Sequence, residues 1–229
     1  SKYKNVAIYK AISEALERLA FYETGEKEEK NFCFDLNPTT TGLAAFPHFN
    51  SNQARLNAKA EAIERWAIHE FNRSRLPVNA KYTTIKKLNY YEILTPFKEI
   101  VVTLLSFHHE NFYAYSFAAG INSQHSFDRA LIELDRNIRV LKKSKEENRK
   151  YNDASPGVDK TILYFSTEEG YSTFQNYIER SPSRITNTFP IVICDKELKG
   201  YWTQYAKVWR YLLEDSYFNC TTDHTFFMF

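Results

Sequence analysis

The chain has 229 residues, 43% apolar and 25% charged, which is enough to bury most of the surface it exposes when unfolded without a disulfide or metal staple. Its 18 Phe, 16 Tyr and 3 Trp against 6 Gly and 7 Pro exclude the collagen-like, low-complexity and disordered classes. No apolar run approaches the roughly 20 residues a bilayer demands, and 30 basic against 28 acidic residues leave a formal charge of +2, too balanced for a nucleic-acid surface. A single domain over residues 1–229 is therefore expected, binding neither membrane nor nucleic acid. Cys33, Cys194 and Cys220 are an odd number, far apart and without a Cys-x-x-Cys spacing, so neither a disulfide framework nor a zinc knuckle is indicated. Lys2 and Lys4 run directly into an amphipathic stretch with no signal-peptide pattern, so a cytoplasmic protein is expected.

In chain order, Val6, Tyr9, Ile12, Leu16 and Leu19 recur at three- and four-residue steps and predict a helix over residues 3–21. The charged stretch 23–30 with Gly25 reads as a connector. Phe32, Phe34 and Leu36 alternate as in a short strand. After Pro38 and Gly42, a second long helix is expected over residues 51–73, with Ser51 as its N-cap. Residues 79–91 read as helix. Residues 98–107 and 112–120, rich in β-branched and aromatic side chains, form a hairpin around His108 to Asn111. A third helix covers about 126–143, and a charged loop follows to Gly157. Then come a strand at 161–165, a helix at 167–180, a strand at 189–194 and an aromatic-rich final segment. The elements lack a regular βαβ rhythm, so the class is α+β, with helices packed on a mostly antiparallel sheet.

The informative feature is an internal repeat. Residues 11–20 match residues 58–67 at a constant offset, with identity at the alanines 11/58, 15/62 and 20/67 and at Glu14/Glu61, Glu17/Glu64 and Arg18/Arg65. A weaker echo at 130–136 keeps Ala130 and Glu133. Side chains three apart share a helix face, so each copy sets two carboxylates side by side. Converging acidic helices would form a pocket suited to Mg²⁺, which takes carboxylate oxygens and bridges to nucleotide phosphates, with arginines placed to hold the phosphates. The bland alternative is surface ion-pair decoration of an α+β interaction domain.

The surroundings of the second copy carry a resemblance. Thr41-Gly-Leu-Ala-Ala45 followed by Asn57-Ala-Lys-Ala-Glu-Ala-Ile-Glu-Arg65 resembles the YcaO family, in which such a turn precedes a helix with Ala-x-x-x-Ala-x-x-Glu-x-x-Glu-Arg. Residues 11–18 look like that family's earlier Glu-x-x-Glu-Arg helix. Ala118 to Ser123 with Asp128 to Glu133 look like its third element, and Phe189 to Cys194 followed by Leu198 is similar to its last strand. The resemblance implies an ATP- and Mg²⁺-dependent enzyme of ribosomal peptide modification. Such enzymes phosphorylate a backbone amide oxygen on the way to an azoline, thioamide or amidine, often with a partner protein that presents the peptide substrate. Glu14, Glu17, Glu61, Glu64 and Glu133 would then be metal and nucleotide ligands, with Arg18 and Arg65 beside the nucleotide. The family's usual serine one turn before the first glutamate is replaced by Lys10 or Ala11 and by Asn57 or Ala58, and Arg136 and Ile138 follow the third glutamate. Those departures define the alternative, a YcaO-like scaffold for a partner or leader peptide that has lost turnover.

Other candidates carry less. His108 and His109 read as solvated turn residues, and His48 and His125 as turn or cap residues. Cys194 reads as a packed small hydrophobe. Tyr113, Tyr115 and Phe117 read as one face of a strand, packed in a core. Neither a Gly-x-Ser-x-Gly elbow nor a Walker-type Gly-Lys-Ser/Thr is present.

Overall fold

The structure is a computed structural model that describes residues 2–36, 50–150, 152, 154, 158–185, 189–214 and 227. The expected turn at 41–45, together with Pro38, His48 and Cys220, lies outside these residues. The described elements are α+β: helices α1 (Lys2–Glu28), α2 (Ser51–Asn72), α3 (Ser123–Glu146), α4 (Val158–Phe165) and α5 (Glu168–Glu179), and strands β1 (Val78–Lys81), β2 (Leu88–Ile93), β3 (Val101–His109), β4 (Phe112–Gly120), β5 (Val192–Leu198) and β6 (Val208–Leu213). Every strand pairing is antiparallel, in a four-stranded sheet of order β1-β2-β3-β4 and a two-stranded sheet β5-β6. No helix among the described residues is long and apolar enough to cross a membrane. The chain divides into two compact units, residues 1–63 with 190–219 and residues 64–189 with 220–229.

The first unit holds α1, the start of α2, and the β5-β6 ribbon. Its core gathers Ala20, Phe21, Phe32, Phe34, Cys194, Leu198, Trp202 and Leu212. Arg210 is fully buried in it. A buried cation needs its donors satisfied, and here Nε donates to the Phe32 carbonyl and an Nη to the Cys33 carbonyl, each at 3.1 Å. Its guanidinium also lies 4.6 Å from the Phe34 ring centroid. Arg210 therefore organises a turn over residues 29–36 where alternation predicts a strand. Phe32 and Phe34 are both buried because their segment folds around the arginine, with Cys33 at a positive φ of 57°. Cys194 is packed as expected, and burial pushes its thiol up to about 11. Arg55 of α2 grips Asp195 of β5 through Nε, 2.9 Å from both carboxylate oxygens, and Trp209 Nε1 donates to the same carboxylate at 2.7 Å.

The second unit is the four-stranded sheet with α3, α4, α5 and the end of α2. The α3 helix covers one sheet face through Ala130, Leu134 and Leu141, against Leu105, Phe112, Ala114 and Ala118. An aromatic cluster of Phe71, Tyr115, Phe165, Phe174 and Phe227 forms a second contact network. Within it, Asn72 Nδ2 donates to the Phe227 carbonyl at 2.7 Å, and the Phe227 N–H donates back to Asn72 Oδ1 at 3.2 Å.

Several expected elements are corrected. The α1 helix continues through the charged stretch to Glu28, where Lys27 and Glu23 pair one turn apart at 2.5 Å. Asn50, rather than Ser51, caps α2, its Oδ1 accepting the Gln53 N–H at 3.1 Å. Residues 79–91 are not helix. They contain β1 and β2, joined by a turn in which Lys87 adopts a φ of 63°. The expected strand at 161–165 belongs to α4. The hairpin is borne out, but β3 runs on to His109, so the two histidines are strand residues that stack on Tyr113 and Phe112 instead of turn residues. Thr167 caps α5 through the Gly170 N–H, and the expected 189–194 strand starts later, at Val192.

Candidate functional site

The site is built on the outer edge of β4. Among the described residues this strand ends its sheet, with no strand paired to one side of its backbone, and buried N–H and C=O groups there need other partners. Side chains and a loop provide them. Glu64 Oε2 accepts the Ala119 N–H at 2.6 Å, and an Arg129 Nη donates to the Ala119 carbonyl at 2.7 Å. Asn137 Nδ2 donates to the Tyr115 carbonyl at 2.8 Å, and the Tyr113 N–H donates to the Ser166 carbonyl at 3.1 Å. Glu64 and Arg129 thus hold the two polar groups of one residue, which brings a carboxylate from α2 beside a guanidinium from α3.

The α3 helix is positioned by its start. Asn122 caps it through the His125 N–H at 2.9 Å, and Ser126 Oγ lies 2.7 Å from Thr103 Oγ1 of β3. Gly120 makes this approach possible, since a Cβ there would stand 2.5 Å from the Ser126 nitrogen. From that fixed start, α3 presents Arg129, Glu133, Arg136 and Asn137 to a cleft of about 150 Å³, completed by Glu64, Ser116, Phe117 and Ala118. Glu133 and Arg136, three residues apart on the helix, pair at 2.7 Å. The cleft is therefore lined by two carboxylates and two guanidiniums.

Two of the residues singled out in the sequence, Glu64 and Glu133, come together here although they lie on different helices. The others are placed elsewhere. Glu14 and Arg18 are exposed and Glu17 half-buried on α1, and Glu61 is half-buried on α2. All four belong to the first unit. Arg65 is half-buried on α2 and is not among the cleft's lining residues. The two repeat copies also occupy different environments. Ala58 and Ala62 are buried in α2, whereas Ala11 and Ala15 of α1 are exposed. Arg129, Arg136 and Asn137 are additional candidates. Arg129 precedes Glu133 by four residues, a spacing that places both on one helix face and is readable before any coordinates.

The donor set bears on a metal and a phosphate group. Among the described residues, no group of three or more His, Cys, Asp and Glu side chains is gathered so as to hold a metal ion. Mg²⁺ in nucleotide sites needs fewer, keeping several waters and taking one or two carboxylates plus phosphate oxygens. Glu64 and Glu133 match that number, and the planar donor forks of Arg129 and Arg136 match phosphate. No family model, curated protein or solved structure matches the chain.

Proposed function

We propose that the chain is a YcaO-like protein that uses ATP and Mg²⁺ to activate a peptide backbone amide in ribosomal peptide modification, in the manner of a cyclodehydratase or thioamide synthetase. The observation that carries this reading is the cleft lined by Glu64 and Glu133, from two of the three helices that hold the repeat and its echo, together with Arg129 and Arg136. Glu64 and Glu133 would hold the cation, and Arg129 and Arg136 would draw the phosphates against the β4 edge. The bound nucleotide would supply a phosphoryl group, which turns the poorly departing amide oxygen into a good leaving group. The residues themselves orient and neutralise charge, which is most of what phosphoryl transfer asks of a protein. The test is release of phosphate from MgATP in the presence of a Cys-, Ser- and Thr-rich peptide. Peptide-stimulated release that is lost in Glu64→Gln supports the proposal, and its absence with every such peptide removes the catalytic part.

A second reading, a scaffold without turnover, is favoured by one observation. Both cleft carboxylates already have partners, Glu64 in the Ala119 N–H and Glu133 in Arg136. A cleft neutralised in this way can hold a peptide or partner without a metal. It predicts peptide binding that is indifferent to MgATP.

A further inference from the structure

One face of α1 is packed and another is not. Leu16, Ala20 and Phe21 turn into the core of their unit. A second line of side chains, Ile8, Ile12, Ala15, Leu19 and Tyr22, recurs at alternating steps of four and three, the spacing of a helix-pairing seam. Along it Ile8 is 45%, Ile12 37% and Tyr22 65% exposed, while Ala15 is exposed and Leu19 half-buried. The same line in the second copy of the repeat is covered. Ala62, Trp66 and His69, which stand in α2 where Ala15, Leu19 and Tyr22 stand in α1, are all buried.

The order of charge along α1 selects the occupant. Residues 4–12 carry only Lys4 and Lys10, whereas residues 14–28 carry five Glu against Arg18 and Lys27. The helix dipole favours the reverse order, acids at the start and bases at the end, so this arrangement works against α1 on its own. It suits α1 beside an antiparallel copy of itself. Each basic half then lies along an acidic half, and each end of the dipole meets its opposite. With the two-fold axis at Ala15, Lys4 of one copy stands beside Glu26 of the other, and Ile8 beside Tyr22. Alanine meets alanine at the axis, which lets the two backbones approach closely. A bilayer fits the apolar line but not the carboxylates, which an anionic lipid surface repels.

We propose that α1 is the pairing helix of a two-fold dimer, with its line from Ile8 to Tyr22 seated antiparallel on the same line of a second copy. A two-fold contact uses one self-complementary patch twice, and this line with its charge order is such a patch. The inference is independent of the cleft and of the proposed function. It gives the first copy of the repeat a role in assembly.

The experiment is sedimentation velocity of the full chain over roughly a hundredfold range of concentration, because a dimer dissolves on dilution by mass action. A dimer is expected, and Ile12→Asp should raise its dissociation constant about tenfold or more. Lys4→Glu should raise it roughly fivefold by setting like charges together, and so should Glu26→Lys. The double variant Lys4→Glu/Glu26→Lys should recover the parent value, because the pair is restored with its signs exchanged. Ile132→Asp, at another exposed apolar position on α3, should leave the dimer unchanged. Circular dichroism of each variant keeps a folding defect from being scored as lost pairing, and the charge variants change only exposed positions. A monomer at every concentration, a dimer that survives Ile12→Asp, or a double variant as weak as the single ones would overturn the proposal. So would flotation with phosphatidylcholine–phosphatidylserine vesicles that a monomeric chain binds and Ile12→Asp does not, because the occupant would then be a bilayer.

Discussion

Gly120 links the fold to the cleft, and replacing it with alanine is the sharpest local perturbation available. The new Cβ would stand 2.5 Å from the Ser126 nitrogen and 2.8 Å from its Cα. Unstrained contacts begin near 3.5 Å, so the start of α3 must retreat by roughly 1 Å. Because the obstacle is backbone, no side chain can swing aside to relieve it. Ser126 is also fully buried and tied to Thr103, and Arg129, one turn on, holds the Ala119 carbonyl at 2.7 Å. Overpacking of this kind costs about 1–3 kcal/mol, and in a chain of this size each kcal/mol lowers the melting temperature by about 2–4 °C. Gly25 supplies the comparison. A Cβ there meets only the Phe34 ring, at 3.8 and 3.9 Å, so Gly25→Ala in α1 is expected to stabilise by up to about 1 kcal/mol. Thermal and urea denaturation followed by circular dichroism measure both variants, and nucleotide affinity is measured alongside. A Gly120→Ala protein as stable as the parent would refute the argument that this close approach positions the site.

Two further perturbations test the supporting structure. Asn72→Ala leaves the buried N–H and carbonyl of Phe227 without the amide that holds them, and is expected to cost about 2–4 kcal/mol in urea denaturation. Phe227→Ala should cost about 3–5 kcal/mol, and because the two residues act together the double variant should lose less than the sum. Strict additivity would contradict that coupling. Arg55, against its carboxylate, holds Asp195 below the usual carboxylate range. A lowered folded pKa contributes stability above the unfolded value, near 3.9, which is lost as pH falls through the folded one. Asp195→Asn should therefore be less stable than the parent at pH 7 by about 1 kcal/mol, since Arg55 is half-exposed. The gap should close below about pH 4, and a gap that persists there would assign the effect to packing instead.

Where long segments carried one period, the sequence was legible. The helices α2, α3 and α5 follow apolar residues at three- and four-residue steps, and the β3-β4 hairpin follows its β-branched and aromatic runs. Short segments misled because local pattern was overruled by tertiary partners. Phe32 and Phe34 alternate as strand residues do, yet both are buried around Arg210, whose partners lie far away in the sequence. The apolar run in α4 is the length at which strand and helix are hardest to separate. In the candidate site, Glu64 and Glu133 could be read from the repeat. Arg129 needed the edge of β4 to reveal its role, because a backbone carbonyl leaves no mark in a sequence. The two long Glu-x-x-Glu-Arg copies agree in sequence but only in part in burial: Ala20 and Ala67 are both buried, whereas Ala11 and Ala15 of α1 are exposed where Ala58 and Ala62 of α2 are buried.

On the proposed function, Glu64 and Glu133 together would hold a cation-bound triphosphate in the β4-edge cleft. Calorimetric titration of ATP into the full chain, with and without Mg²⁺, tests it directly when repeated on Glu64→Gln and Glu133→Gln, which remove charge while keeping shape and an acceptor oxygen. The account predicts Mg²⁺-dependent binding weakened at least tenfold by either change. Binding that is indifferent to Mg²⁺ and to both substitutions, or no binding by the parent chain, would contradict it.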